Sequence, residues 1–254
     1  MDVDSLLRRV YGHAKQGTGF GHAKVGGYSV KLRGLSPLIA TISTAQAAPV
    51  IAATRLRGGS ANSARGAASF VRQAISTARA CGATGRVPVR ADSAFGSGAV
   101  VSACLQAGVN YSLTLQMNPK IRTAIAGIDE AAWTPVRYPG GVYDEETGSW
   151  ISDAQVAETV YTAFETTAHK VTARLIVRRV KERNPAPDGQ DELFQLWRHH
   201  VFLTDTDEPT IDADLTHRGH AVIEQVFADL IDGPLAHLPS AGSPPTPPGS
   251  PSPP

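Results

Sequence analysis

The order in which two hydrophobic periodicities follow one another constrains this chain most. Residues 28–33 alternate at period two and read as a strand. Residues 38–43 and 50–56 read as two more, with Pro49 and the pair Gly58-Gly59 at their boundaries, the punctuation of a turn between antiparallel neighbours. From Asn62 the period changes. Ala67, Phe70, Val71, Ala74, Ile75 and Ala78 recur at helical spacing ahead of Gly82. Residues 87–91 form a short apolar strand, 97–107 a helix closed by Gly108, and 111–115 another strand. Residues 118–129 open on Asn118-Pro119, a good helix start, and carry Ile121, Ile125 and Ile128 on one side. Strands first, then strand–helix alternation, predict an α/β fold: a mixed sheet with helices on its faces.

Beyond residue 132 the texture differs. Residues 133–208 are rich in Thr, Val, Tyr and turn formers, with strand candidates at 158–164, 171–180 and 196–203 and a hairpin loop at 184–189. Trp133, Trp150 and Trp197 fall here and are expected to pack its core. A helix over 215–230 follows. Residues 241–254 are mostly Pro, Gly and Ser; such a tail builds no core and is expected to be disordered or polyproline-like. The expected organisation is a core in two parts, 1–132 and 209–240, a β-rich insertion at 133–208, and the tail.

A formal net charge of +1 over 254 residues does not by itself advertise a polyanion as partner. The distribution is more telling. Arg8, Arg9, Lys15, Lys24, Lys31 and Arg33 fall in one acid-free stretch, and Arg55, Arg57, Arg65, Arg72, Arg79, Arg86 and Arg90 in a second. A basic first half attracts a phosphate backbone. Cys81 and Cys104 make neither a disulfide framework nor a zinc pattern and are expected to be small buried residues. No apolar run reaches membrane-spanning length, so a cytoplasmic, nucleoid-associated bacterial protein with no membrane partner is the expectation.

Three acids stand where the predicted elements end or turn. Asp4 closes a strand-like opening, Asp92 follows the strand at 87–91, and Glu224 lies in the predicted helix. Two strand-end aspartates and a helical glutamate can hold a pair of hard divalent cations, the arrangement that clamps the attacking and leaving oxygens of a phosphodiester. Each acid has a plainer reading: Asp4 as a solvated terminal residue, with Asp2 as its competitor; Asp92 as a helix cap; Glu224 as an exposed helical glutamate. His217, His220 and Glu224 would share one helix face and suggest zinc, yet no fourth ligand is evident. The glycine-rich residues 12–21 lack the spacing of a nucleotide loop. They read as a turn, with Lys15 and Lys24 placed to reach phosphates.

Residues 2–17, 35–44, 90–96 (Arg-Ala-Asp-Ser-Ala-Phe-Gly) and 217–224 (His-Arg-Gly-His-Ala-Val-Ile-Glu) resemble the transposases of bacterial insertion sequences, in the group with an RNase H-like DDE catalytic domain. The resemblance spans roughly residues 2–240. It implies an RNase H-like sheet with a β-rich insertion between the second and third acids. It also implies Asp4, Asp92 and Glu224 as catalytic metal ligands, two Mg²⁺ or Mn²⁺ ions, DNA (element ends and target) as substrate, and a homodimer on DNA. Around the third acid, relatives carry a tyrosine, an arginine three later, the glutamate four after that, and a lysine beyond. Here His217, His220 and Glu224 stand in those places, with Arg218 shifted by one and Ile231 where the lysine is expected; His217, Arg218 and His220 become the candidate DNA contacts. The resemblance also implies residues ahead of Asp4 and an apolar helical segment after Ser240, so the chain is expected to be truncated at both ends, its tail out of frame.

Two other functions compete. A catalytically inactive DNA-binding remnant would keep the basic surface without the chemistry. An Asp-nucleophile phosphatase would use Asp2-Val3-Asp4, with Asp2 attacking phosphate.

Overall fold

The structure, a computed structural model, describes residues 1–11, 15–25, 28–136, 143–144, 149–150, 154–181 and 197–233. In chain order the elements are β1 (Asp2–Ser5), β2 (Arg8–Arg9), β3 (Gly19–Val25), β4 (Tyr28–Leu35), β5 (Leu38–Ile42), β6 (Val50–Arg55), α1 (Ala67–Ala80), β7 (Val89–Ala91), α2 (Gly98–Gln106), β8 (Tyr111–Thr114) and α3 (Pro119–Ala126). Then follow β9 (Thr134–Val136), β10 (Tyr143–Asp144), β11 (Ser149–Trp150), β12 (Ala154–Ala163), β13 (Val171–Lys181), β14 (Trp197–Thr204), α4 (Thr210–Arg218) and α5 (Val222–Asp232).

The main sheet runs β6-β5-β1-β7-β8-β14-β13-β12-β9. Its first five strands have the order and directions of an RNase H-like core: β5 is antiparallel to both β1 and β6, while β7 and β8 lie parallel beside β1. The predicted α/β class and mixed sheet are observed. The apolar side of α1 is the one its spacing announced, with Ala67, Phe70, Val71, Ala74, Ile75 and Ala78 buried against Val3, Leu38 and Val89 of the sheet and Val100 and Cys104 of α2. Gly66, at φ 74°, sets the start of α1 later than Asn62, because only a residue at ease in the left-handed region can turn the chain there. Asn118 caps α3 by accepting from Ile121 N at 3.0 Å.

The stretch 133–208 is β-rich as expected. Its strands continue the central sheet: β14 pairs antiparallel with β8 (Phe202 opposite Thr114), β13 with β14, and β12 with β13. Trp133 and Trp197 do pack here, but around a charge. The Arg179 guanidinium lies 4.1 Å from one ring centroid and 4.3 Å from the other, its nitrogens held by Glu130 and Gln155. Trp150's side chain, the loop at 184–189 and the Pro-rich tail lie outside the described residues. Cys104 is buried, whereas Cys81 is exposed, a correction to the expectation for both.

The predicted single helix over 215–230 is two helices. A one-turn 3-10 segment at Gly219–Ala221 separates α4 from α5. Gly219 closes α4, and a side chain there would collide with the Arg90 guanidinium. Consequently His217 and Glu224 do not share one helix face. Ile223 and Phe227 seat α5 on Ile39, and Ile39 is the register partner of Asp4.

Candidate active site

The site forms where β1 and β7 end side by side. Asp2 pairs with Arg90 and Val3 with Ala91 in a parallel ladder, so Asp4 and Asp92 are the next residues along neighbouring strands. Carboxyl ends of parallel strands gather loops into a crevice. Val3 is buried on the α1 side of the sheet; alternation turns Asp2 and Asp4 to the side covered by α5.

Asp4 is half-buried, and its Oδ1 accepts the Ser5 amide at 2.6 Å. Its carboxyl is pushed up to about 6. Burial is the main cause, and the Asp92 and Glu224 carboxylates add to it, against the lowering influence of the Ser5 amide and His220. Thus the three predicted acids share one electrostatic neighbourhood. Asp92 and Glu224 are both exposed. Asp92 does not cap α2, whose N-cap is Ser97; it holds a turn, its Oδ1 accepting from Ala94 N at 2.9 Å. Glu224 sits in the first turn of α5, where the helix dipole favours a negative charge. Among the described residues, no group of three or more His, Cys, Asp or Glu side chains stands close enough to hold a metal ion.

Asp2 has a different task. It is 0 % exposed. Arg90 donates from Nε and Nη2 to its two oxygens, each at 2.8 Å, and His220 Nδ1 lies 3.0 Å from Oδ1. Burial pushes this carboxyl up, but the hydrogen bonds from His220 and Arg90 and the Arg90 charge outweigh burial and hold it below the ordinary range. The third Arg90 nitrogen, Nη1, donates to the Thr216 carbonyl at 2.6 Å. One guanidinium therefore ties β1, β7 and the end of α4 together. A carboxylate so enclosed cannot attack a phosphate, and the phosphatase reading loses its nucleophile.

The candidate DNA contacts scatter. His217 is turned inward: Ser112 Oγ lies 2.8 Å from Nδ1 and Thr114 Oγ1 lies 3.0 Å from Nε2, with the ring stacked on Phe202 at 4.0 Å. Burial, then the neighbouring His220 and Arg90 charges, depress its pKa to about 3, so the ring is neutral. His220 commits one nitrogen to Asp2. Arg218 is exposed at the end of α4, and Lys15 is half-buried ahead of a turn at Gly17. Lys24 stands opposite Ser29 in the β3–β4 ladder; its side chain lies outside the described residues.

Much of the second basic run is structural. Arg57 donates to the carbonyls of Ser36, Asn62, Ser63 and Arg65, Arg55 to Gly66 O, and Arg79 to the carbonyls of Ala83 and Gly85. The clamp residues Asp2 and Arg90 were missed by reasoning from sequence. A signal for them exists: each lies two residues before an acid at a strand end, so parallel pairing sets opposite charges on one face.

The topology thus defines an RNase H-like domain with acids at the carboxyl edge of β1 and β7. The chain belongs to the transposase DDE domain family, group 1, whose sequence profile matches residues 1–187. Asp4 and Asp92 fall inside the matched residues, and Glu224 beyond them. No relative among curated proteins matches this chain. No helix among the described residues is long and apolar enough to cross a membrane.

Proposed function

We propose that this chain is the catalytic domain of an insertion-sequence transposase that cleaves DNA at element ends and joins the freed 3′-hydroxyl to target DNA. The observation that carries the reading is the Asp4 carboxyl, raised by burial and by the flanking Asp92 and Glu224 carboxylates. Three hard oxygen donors with mutual repulsion suit Mg²⁺ or Mn²⁺, and a cation relieves the cost of ionising Asp4. Asp4, shared, with Asp92 and Glu224, would hold two ions. When bound, such a pair activates a water or terminal 3′-hydroxyl and stabilises the departing oxygen.

The chain's own residues supply position. The Ser5 amide fixes the Asp4 carboxylate, and the Asp2–Arg90–His220 cluster ties the α4–α5 junction to β1 and β7. Lys15, Lys24, Arg218 and the outer side of His220 contact DNA phosphates, on a homodimer assembled over two element ends. Mg²⁺-dependent nicking of supercoiled DNA, lost in Asp92→Ala with duplex affinity retained, tests this.

One observation favours a second reading, a DNA-binding remnant without catalysis. His217 and His220 stand where relatives carry phosphate-gripping residues, and both spend ring nitrogens inside the protein. Salt-sensitive DNA binding with no cleavage under any divalent cation supports the remnant instead.

A further inference from the structure

Strands β2, β4 and β3 form a second, three-stranded sheet in the order β2-β4-β3, inserted between β1 and β5. Only Leu6 and Leu7 separate it from the end of β1. Its base is seated through glycine. A Cβ at Gly59 would collide with the Gly34 and Gly19 carbonyl oxygens, and one at Gly21 with the Gly59 carbonyl. Gly19 pairs with Gly34 and Gly21 with Leu32, so this side of the ribbon faces the loop at Gly59.

Alternation then decides what the other side shows. Phe20 pairs with Arg33 and His22 with Lys31, and these four residues lie on the side away from the loop. Phe20 is 60 % exposed, and His22 and Lys31 are exposed. The Lys31 ammonium stands 5.8 Å from the Phe20 ring centroid. Arg33 is braced by Thr18 Oγ1 at 3.1 Å. No Asp or Glu occurs anywhere between Asp4 and Asp92, so no carboxylate of this segment neutralises the surface. Unlike Arg55, Arg57 and Arg79, Lys31 is not spent on loop carbonyls among the described residues. At the ribbon's base a cleft of ≈ 320 Å³, lined by Ser5, Ser36, Ser60, Asn62 and Ser63 among others, opens at the end of β1.

We propose that the ribbon face carrying Phe20, His22, Lys31 and Arg33 docks duplex DNA and delivers it to the carboxyl edge of β1. The major groove of B-form DNA, about 12 Å wide, admits a two-stranded ribbon, and alternating cations on one face match its phosphate rims. The direction of delivery rests on the strand-cleavage reading; the docking itself does not.

The test is a fluorescence-anisotropy titration of the full chain against a short labelled duplex over a range of NaCl concentrations. The double variant Lys31→Glu/His22→Glu is expected to bind about tenfold more weakly at low salt and to reduce the salt slope by about one. Phe20→Ala is expected to lose about threefold, because the ring that positions the Lys31 ammonium is removed. Arg72→Glu, a charge reversal on the exposed side of α1, is expected to stay within about twofold of the native chain. Matching circular-dichroism melts establish that the variants fold. Equal affinity of the double variant and the native chain overturns the proposal, as does an equal loss in Arg72→Glu. If the ribbon variants lose affinity but the native chain never nicks DNA, the ribbon stands and the strand-cleavage reading fails. If nicking is Mg²⁺-dependent and the ribbon variants bind and nick normally, the reverse holds.

Discussion

Arg90 and Asp2 meet as a fork: two guanidinium nitrogens donate to two carboxylate oxygens at 2.8 Å, from residues that are direct partners on adjacent parallel strands. Beside them, two residues further along the same strands, Asp4 and Asp92 have no such guanidinium partner among the described residues. The same sheet edge thus carries one acid–guanidinium pair and one pair of acids, and that contrast separates what holds the domain together from what is left for chemistry.

Arg90→Gln strands the Asp2 carboxylate in the interior and withdraws the donor from Thr216 O. Breaking a buried pair from one side costs about 3–5 kcal/mol. Urea unfolding at pH 7 is expected to show a loss of that order, with faster hydrogen exchange across the α4–α5 junction. A loss below about 1 kcal/mol contradicts the clamp.

Asp4→Asn is expected to stabilise the fold while removing cleavage. A carboxyl whose folded pKa is raised makes the folded chain bind more proton than the unfolded one. Stability therefore falls as pH rises from the ordinary aspartate value through about 6, and the penalty is complete above that. At pH 7.5 the variant should gain on the order of 2 kcal/mol, and at pH 3.5 nothing. Thermal melts at the two pH values check this. Added Mg²⁺ should raise the melting temperature of the native chain and not of the variant.

His217 has the opposite pH dependence. Its folded pKa, about 3, lies below the unfolded value, so the unfolded chain takes the proton first and stability drains as pH falls below about 6.5. Between pH 7 and pH 5 the native chain should lose about 2 kcal/mol more than His217→Gln. Parallel urea titrations of both at the two pH values measure it; equal losses mean the ring is protonated in the fold.

Gly59→Ala forces a methyl into two carbonyl oxygens, those of Gly34 and Gly19. Backbone must move, at a cost of about 1–3 kcal/mol, and the ribbon loses its seat. Duplex affinity should fall with it, whereas the melting of the α1–α2 core should change little.

What was legible in the sequence was whatever one element decides alone. The α1 stripe from Ala67 to Ala78, the Asn118 cap and the boundaries at Pro49 and Gly108 each write their structure into a few adjacent residues. What was illegible was set by partners far along the chain. Nothing near Trp197–Thr204 states that it will pair with β8, making one sheet out of core and insertion. The room that Gly219 leaves at the break is taken by the Arg90 guanidinium, from more than a hundred residues away in sequence. His217 was expected to contact phosphate because of the place it takes in the resemblance around the third acid; its neighbours in space are Ser112, Thr114 and Phe202. Asp92 follows a short apolar run, whereas Asp4 has only Met1, Asp2 and Val3 ahead of it and rested on the resemblance. Register alone then made them neighbours.

The most direct measurement is the cleavage of supercoiled plasmid by the purified chain with Mg²⁺ or Mn²⁺, run beside Asp92→Ala at matched DNA occupancy. The account predicts nicked product from the native chain, none without divalent cation, and a loss of at least about a hundredfold in Asp92→Ala with unchanged duplex affinity. Undiminished nicking by Asp92→Ala, or a native chain that binds DNA and never cuts it, contradicts the account.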